Sequence, residues 1–339
     1  MHSIRKNKVS VIIPVHNGGE NFRKCLSSLS VSDAHPLEII VVADGDSDGS
    51  WRIAEDFKTE ILKIPKPGGP ARARNLGALK ARGDILFFVD ADVTLEKDAV
   101  SRVVDAFELD RDLAAIFGSY DDEPLETNFL SQYKNLFHHY VHQTSNVEAS
   151  TFWGACGAVR REIFFRVGGF NDGFRRPSVE DIELGYRLKR AGFRIRLIKD
   201  LRCKHMKHWG IVSLLKADFF YRAIPWLKLI FKKEGMLNDL NLKVSNRISV
   251  MAVYLLITGL LFTWPLPWLL AADLPLIILL FALNLDLYKF FMKKRGIFFM
   301  LKTIPWHWFY FFYSGLAFLI IFLHYHINRI LSLPIENSY

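Results

Sequence analysis

Ile85-Leu86-Phe87-Phe88-Val89-Asp90-Ala91-Asp92 is the stretch on which the architecture turns. Five consecutive apolar residues, bounded by Gly83-Asp84 and by the acidic turn, read as a strand buried on both faces, the habit of a parallel sheet. Carboxylates at the C-terminal end of such a strand lie where open α/β sheets place their ligands. Paired carboxylates hold hard divalent cations, and Mg²⁺ commonly shares its site with substrate phosphates. The plainer reading is that Asp90 and Asp92 cap the turn before a helix near Glu96, and a lone Asp-x-Asp does not separate the two. The neighbouring segments do.

Working upstream, Val9 to Val15 is a β-branched, apolar strand ending in the turn His16-Asn17-Gly18-Gly19. Phe22, Cys25, Leu26 and Leu29 then recur at helical spacing. A second buried strand, Leu37 to Ala43, runs into the acidic loop Asp44 to Ser50 and a helix from Trp51 to Phe57. A third strand, Ile61 to Ile64, leads through Pro65-Lys66-Pro67-Gly68-Gly69-Pro70 to a helix over Ala71 to Ala81 carrying Arg72 and Arg74. Strand and helix alternate with short connections, which predicts an α/β fold with a mostly parallel, Rossmann-like sheet. Neither a dinucleotide-binding Gly-x-Gly-x-x-Gly after the first strand nor a P-loop is present.

Ser10 to Asn17, Val41 to Ser50, Ala73-Arg74-Asn75-Leu76-Gly77, Asp90-Ala91-Asp92, Gly168-Gly169-Phe170 and Glu180-Asp181 resemble, in order and spacing, the motifs of family 2 glycosyltransferases. The resemblance spans roughly residues 9 to 225 and implies a GT-A fold using a nucleotide-diphosphate sugar. By it, Asp44 contacts the nucleoside, Pro14 and His16 line the base pocket, and Arg72 or Arg74 lies near base or diphosphate. Asp92 ligates a metal, Mg²⁺ or Mn²⁺, and Asp90 holds ribose or metal. Ala43 stands where the family usually has a first carboxylate, and Asp46 where a small hydroxyl is common. Asp46 and Asp48 read better as caps of the following helix than as ligands. Gly154-Ala155-Cys156-Gly157-Ala158 is the kind of small-residue stretch that lets backbone approach a ligand.

Ser178 followed by Asp181 resembles a capping box, and carboxylates in a first helical turn suit the helix dipole. The resemblance instead makes Asp181 the catalytic base, supported by Glu180. An inverting transfer needs such a base within reach of the acceptor hydroxyl and no enzyme nucleophile. Downstream, Cys203-Lys204-His205-Met206-Lys207-His208 offers a late histidine that many relatives set beside the metal. His205, at the end of a strand-like segment, suits that role better than His208. His138, His139 and His142 lack acidic or cysteine partners at metal-site spacing and read as surface or acceptor-groove residues. The Gln-x-x-Arg-Trp signature of processive relatives is absent, with Tyr221 to Trp226 the nearest stretch, so a single transfer is expected.

Composition places the protein at a membrane. Half the residues are hydrophobic and the formal charge is +9, which suits phosphate-bearing partners or an anionic bilayer face, while no nucleic-acid motif occurs. Three cysteines without paired spacing fit a reducing compartment, and no cleaved signal peptide is expected at the N-terminus. Three spans are predicted: Ile248 to Leu270, Leu276 to about Tyr288 after a turn at Asp273 and Pro275, and about Trp306 to Leu323. Lys289, Lys293, Lys294, Arg295 and Lys302 crowd the connection between the last two, which makes it cytoplasmic and with it the catalytic domain. The expected organisation is a catalytic domain over 1–225, an amphipathic interfacial linker over 226–246, and a membrane domain over 247–339. The reading is a transferase of the inner membrane acting on a membrane lipid, polyprenyl phosphate or lipid-linked glycan. A non-catalytic nucleotide-sugar-binding subunit is the alternative; a degenerate copy of that kind is expected to lack Asp44, Asp92 or Asp181, and all three are present. A sugar-phosphate nucleotidyltransferase lacks support, since its glycine-rich N-terminal loop is missing.

Overall fold

Every residue of Ile85–Val89 is buried, as a continuous apolar run requires, and this strand pairs in parallel with Val9–Val15. The computed structural model describes residues 8–234 and 243–330. In chain order the first part comprises β1 (Val9–Val15), α1 (Gly19–Ser30), β2 (Glu38–Asp44), α2 (Ser50–Glu55), β3 (Glu60–Ile64), α3 (Pro70–Lys80) and β4 (Ile85–Val89). It continues with β5 (Val93–Leu95), α4 (Ala99–Leu109), β6 (Leu113–Tyr120), α5 (Phe129–Thr144), β7 (Cys156–Arg160), α6 (Arg161–Arg166), α7 (Glu180–Arg190) and β8 (Arg194–His205). These strands form one sheet in the order β3-β2-β1-β4-β7-β6-β8-β5.

The sheet is parallel where the alternation of strand and helix predicted it, over β3, β2, β1 and β4. Beyond β4 it is mixed: β7 runs antiparallel to both β4 and β6, and β5 antiparallel to β8. Two features of this topology build the site. Because β1, β2 and β4 are parallel, His16, Asp44 and Asp90 all emerge at one sheet edge. The reversed β7 pairs Cys156 with Val89, and the register of β8 pairs His205 with Val93, which brings both late segments to that edge.

Side chains alternate across the strands. Val11, Ile13, Phe87 and Val89 enter a core with Phe22, Leu26, Val103 and Phe107 of α1 and α4. On the other face Ile12 and Val42 meet Gly77 of α3, and Phe88 packs against Phe164 and Phe170 with centroids 5.4 and 5.1 Å away. Burying a phenylalanine of this kind stabilises by about 1.5–3 kcal/mol.

The chain divides into two units after Trp209. The second comprises α8 (Ile211–Lys216), π-helical turns at Ala217–Ala223, α9 (Ile224–Leu229), further π turns at Ile230–Glu234, and the apolar helices α10 (Val244–Phe262), α11 (Leu269–Leu283), α12 (Leu285–Arg295) and α13 (Ile297–Ile330). Trp226 and Leu229 are buried, and Phe231 packs at tilted and edge-on angles against Phe318, Phe322 and Tyr325 of α13, which gives the basic segment an apolar face. Small residues let the long helices close up. Gly259 on α10 sits under the Asp273 carboxyl, and Gly315 on α13 under Tyr254, whose hydroxyl donates to the Phe312 carbonyl at 2.9 Å.

Two helices, Val244–Phe262 and Ile297–Asn328, are long and apolar enough to cross a membrane, and α11 with α12 makes a third if that pair, bent by 59°, counts as one. The boundaries differ from the hydropathy reading. The first helix stops at Phe262 because Pro265 and Pro267 follow and remove backbone donors. The reversal therefore falls there, and Asp273 and Pro275, expected as the turn, lie inside α11. The basic connection at Lys289–Arg295 is helical, closed by Gly296 at φ 81°.

The α3–sheet contact is directly testable. Gly77→Ala adds helix propensity of up to about 1 kcal/mol, but the new methyl would sit 2.5 Å from Ile12 Cγ2. Overpacking of that kind costs about 1–3 kcal/mol, so the variant is expected to melt below wild type. In an Ile12→Ala background, where that atom is gone, the same substitution should cost less; equal losses in both backgrounds would refute the contact.

Candidate active site

The residues that the sequence singled out fall into three adjoining groups along the sheet edge. In the first, Asp44 at the end of β2 is buried, and its two oxygens accept the Gly68 and Gly69 amides at 2.8 and 2.7 Å. Gly69 can present its amide because it adopts φ 91° in contact with the Arg175 backbone, where a Cβ would lie 2.6 Å from a carbonyl carbon. His16 is exposed and its Nδ1 donates to the Asp44 carbonyl at 2.7 Å, beside the half-buried Pro14. Arg72 is exposed and runs alongside Gly68. Asp46 and Asp48 serve the start of α2, accepting the Trp51 and Ser50 amides at 3.2 and 2.9 Å.

The second group is centred on Arg74, which the structure separates cleanly from Arg72. Its guanidinium is buried and forked, with Nη2 2.6 Å from Asp90 Oδ1 and Nη1 2.9 Å from Glu180 Oε1. Glu180 also accepts the Ser178 amide at 2.9 Å. Ser178 does not hold the N-cap position that the expected capping box requires: α7 starts at Glu180 with Val179 as N-cap. The Asp181 carboxylate turns instead to the Gly154 amide at 3.0 Å and to the Ile182 amide at 2.8 Å. Gly185, one turn on, makes this possible, since any Cβ there would sit 2.3 Å from the Phe152 nitrogen. Gly154 and Gly157 are small for related reasons, lying against the Arg74 guanidinium and the Phe152 ring. Burial raises the Asp181 carboxyl, the Glu180 carboxylate adds to that, and the Gly154 amide and Arg74 pull back, leaving it at about 6.

The third group is Asp92 with His205. Val93 and His205 are register partners and the Met206 amide donates to the Asp92 carbonyl at 2.9 Å, so the two side chains meet with His205 Nε2 3.4 Å from Asp92 Oδ2. Burial pushes the Asp92 carboxyl up, but His205 and Lys207 outweigh it and hold it below its ordinary value. His208 is exposed and bonds Glu126 at 2.7 Å, which leaves His205 alone beside the acid. Cys203, the other half of a possible metal pair, is buried in the core, where desolvation raises its thiol well above the usual range. One carboxylate oxygen and one imidazole nitrogen are two of the donors that a divalent cation needs. Among the described residues no third His, Cys, Asp or Glu joins them.

Sequence reasoning missed the support for this pair. The helix α5 carries Ser131, Asn135, His139 and Gln143 at intervals of four, each hydrogen-bonded to β6, to β8 or to Trp209 just beyond it. Ser131 Oγ accepts the Trp209 amide, Asn135 Oδ1 meets His205 Nδ1, His139 Nδ1 donates to the Tyr120 carbonyl, and Gln143 donates to that of Lys199, at 2.7 to 3.0 Å. The spacing was the available signal. His139 and His142 are accordingly buried, not surface residues, because this helix is covered on nearly all sides.

A mixed sheet with acidic loops at one edge is the GT-A architecture, and it aligns with a mannosyltransferase from Pyrobaculum calidifontis solved with GDP-mannose and Mn²⁺, at 20% identity and a TM-score of 0.57, over 93% of this chain and 88% of that one. Residues 10–168 match the family model for Glycosyl transferase family 2, and residues 135–209 that for the N-terminal domain of galactosyltransferase. The chain thus carries a glycosyl transferase family 2 domain. Among curated proteins it is similar to the uncharacterized glycosyltransferase YfnE of Bacillus subtilis, 27% identical over 59% of this chain and 65% of that protein. It is also similar to the probable glycosyltransferase YdaM of the same organism, 32% identical over 56% and 48% respectively. The chain thus spans between about half and two thirds of these relatives' length.

The raised Asp181 carboxyl has a stability signature. Relative to the ordinary value of 3.8, the folded state holds this proton more tightly, so the group's contribution is full below that value and is lost as pH rises through about 6. Asp181→Asn removes the titration. The difference in melting temperature, variant minus wild type, should therefore become more positive between pH 4.5 and 7.5, in steps on the order of a pKa unit wide. A difference that stays flat with pH would show that Asp181 is not held in this environment.

Proposed function

We propose that the protein is a membrane-anchored, inverting glycosyltransferase that moves one sugar from a nucleotide diphosphate to a membrane lipid, polyprenyl phosphate or lipid-linked glycan. The observation that carries the reading is the convergence at one sheet edge of Asp181, held at about 6, with the Asp92–His205 pair 3.4 Å apart. A carboxylate with that pKa is ionised at neutral pH yet basic enough to take a proton from an acceptor hydroxyl. Arg74 fixes the start of α7 through Glu180, and the Gly154 amide sets the direction of the Asp181 carboxylate. Asp44 and the Gly68-Gly69 loop, with Pro14, His16 and Arg72, form the nucleoside side, and Asp44 keeps acceptor capacity beyond its two amide bonds. Asp90, locked to Arg74 through Oδ1, is left to orient that arginine and to meet ribose or metal with its other oxygen.

Asp92 and His205 would hold the divalent cation, which when bound stabilises the charge of the leaving diphosphate as a Lewis acid. The Mn²⁺ and GDP-mannose of the Pyrobaculum enzyme support this assignment by likeness of fold. Anchoring rests on α10 and α13 with the bent α11–α12 pair, and orientation on the Lys293, Lys294 and Arg295 cluster at the end of α12. The catalytic unit then faces the cytoplasm, the source of nucleotide sugars.

Turnover in saturating donor and acceptor should rise with pH through about 6 and level off above it. Asp181→Asn should keep nucleotide affinity, measured by calorimetry, while turnover falls by about 10²–10⁴. Near-normal turnover in that variant would remove Asp181 as base. The orientation is checked separately, by protease added to sealed inside-out vesicles: the domain before Trp209 should be digested, and its protection would reverse the topology.

A further inference from the structure

We infer that Asn135 is a positioning residue that sets the tautomer of His205, and thereby decides whether His205 and Asp92 form a closed hydrogen bond or an open cation site. This rests on the reading of Asp92 and His205 as metal ligands.

An imidazole has one proton to place when neutral, and the partner of one ring nitrogen decides what the other presents. Asn135 Oδ1 lies 2.8 Å from His205 Nδ1, and a carbonyl oxygen can only accept, so the proton sits on Nδ1. In the neutral ring the lone pair of Nε2 then faces Asp92 Oδ2 at 3.4 Å, two electron-rich atoms close enough for one cation to draw on both. Were the proton on Nε2, the same two atoms would satisfy one another and the cation would have to break their bond. The ring has little freedom to escape this choice. His205 is buried, and Tyr120 stacks on it with centroids 4.7 Å apart and planes 14° off parallel.

Asn135 is a poor residue to keep for stability alone. It is 1% exposed, and its Nδ2 is buried without a hydrogen-bond partner among the described residues. Leaving such a donor unsatisfied is unfavourable. A leucine would fill the site without that penalty. What the amide offers that leucine lacks is an acceptor aimed at His205.

The test uses the full chain in detergent and Mn²⁺ as probe, with free Mn²⁺ counted by electron paramagnetic resonance in the presence of UDP and, separately, GDP. Asp92→Ala and His205→Ala define the site. Asn135→Leu and Asn135→Ala should weaken Mn²⁺ binding by about 10–100-fold, the usual effect of losing a ligand's outer partner, while nucleotide affinity in chelator is unchanged. Asn135→Asp, which can only accept, should bind Mn²⁺ at least as tightly as wild type. A merely structural residue would not show that rescue. Wild-type affinity in Asn135→Leu, or weakened binding in Asn135→Asp, overturns the inference alone. If the apolar variants do not fold, the Asn135→Asp result decides by itself. Wild-type uptake no greater than that of Asp92→Ala overturns the metal reading, and the inference with it.

Discussion

One buried guanidinium holds the site together. Arg74 comes from α3, Asp90 from the end of β4 and Glu180 from the start of α7, so its two ion pairs join segments that share no backbone pairing. Burying an arginine is unfavourable unless its charge is matched and its donors are used. Here the matching overshoots: Asp90, Glu180 and Asp181 surround a single positive charge. The Asp181 carboxyl, the least directly paired of them, is raised first by burial and then by the Glu180 carboxylate, with Arg74 pulling back. The chemistry proposed for Asp181 thus depends on the same buried cluster that fastens the fold.

The first half of the fold was legible because local rules and tertiary structure agree there. Ile85–Val89 and Val9–Val15 are buried on both faces, so their composition alone announces a parallel sheet. The roles of Asp46 and Asp48 were legible too, since a cap acts within a few residues of itself. What failed depends on distance along the chain. Nothing near Ser178 tells that Asp181 will be drawn to Gly154, because the attraction comes from a segment packed under Gly185. Arg72 and Arg74 are equivalent in sequence, and only the helix packing buries one and exposes the other.

The same distinction applies to the apolar helices. Hydropathy located them, but their ends were set by backbone chemistry that an average over a window does not see. Pro265 and Pro267 end α10 early, whereas Pro275 is accommodated within α11. Asn135 escaped notice for a different reason. Its neighbours Tyr133, Leu136 and Phe137 make α5 read as aromatic and mixed, and the polar stripe acquires meaning only once β8 lies beside it.

The strand order carries a consequence for biosynthesis. β5 has only β8 for a neighbour, and β8 is the last strand of the sheet to be made. While the chain emerges from the ribosome, Val93–Leu95 and the acid beside it have no strand to pair with, long after β1 to β3 have their neighbours. His205 arrives as the final residue of that closing strand. The sheet edge and the Asp92–His205 pair are therefore completed in one event, and a nascent chain brings these two residues together only when the whole sheet is ready to hold them.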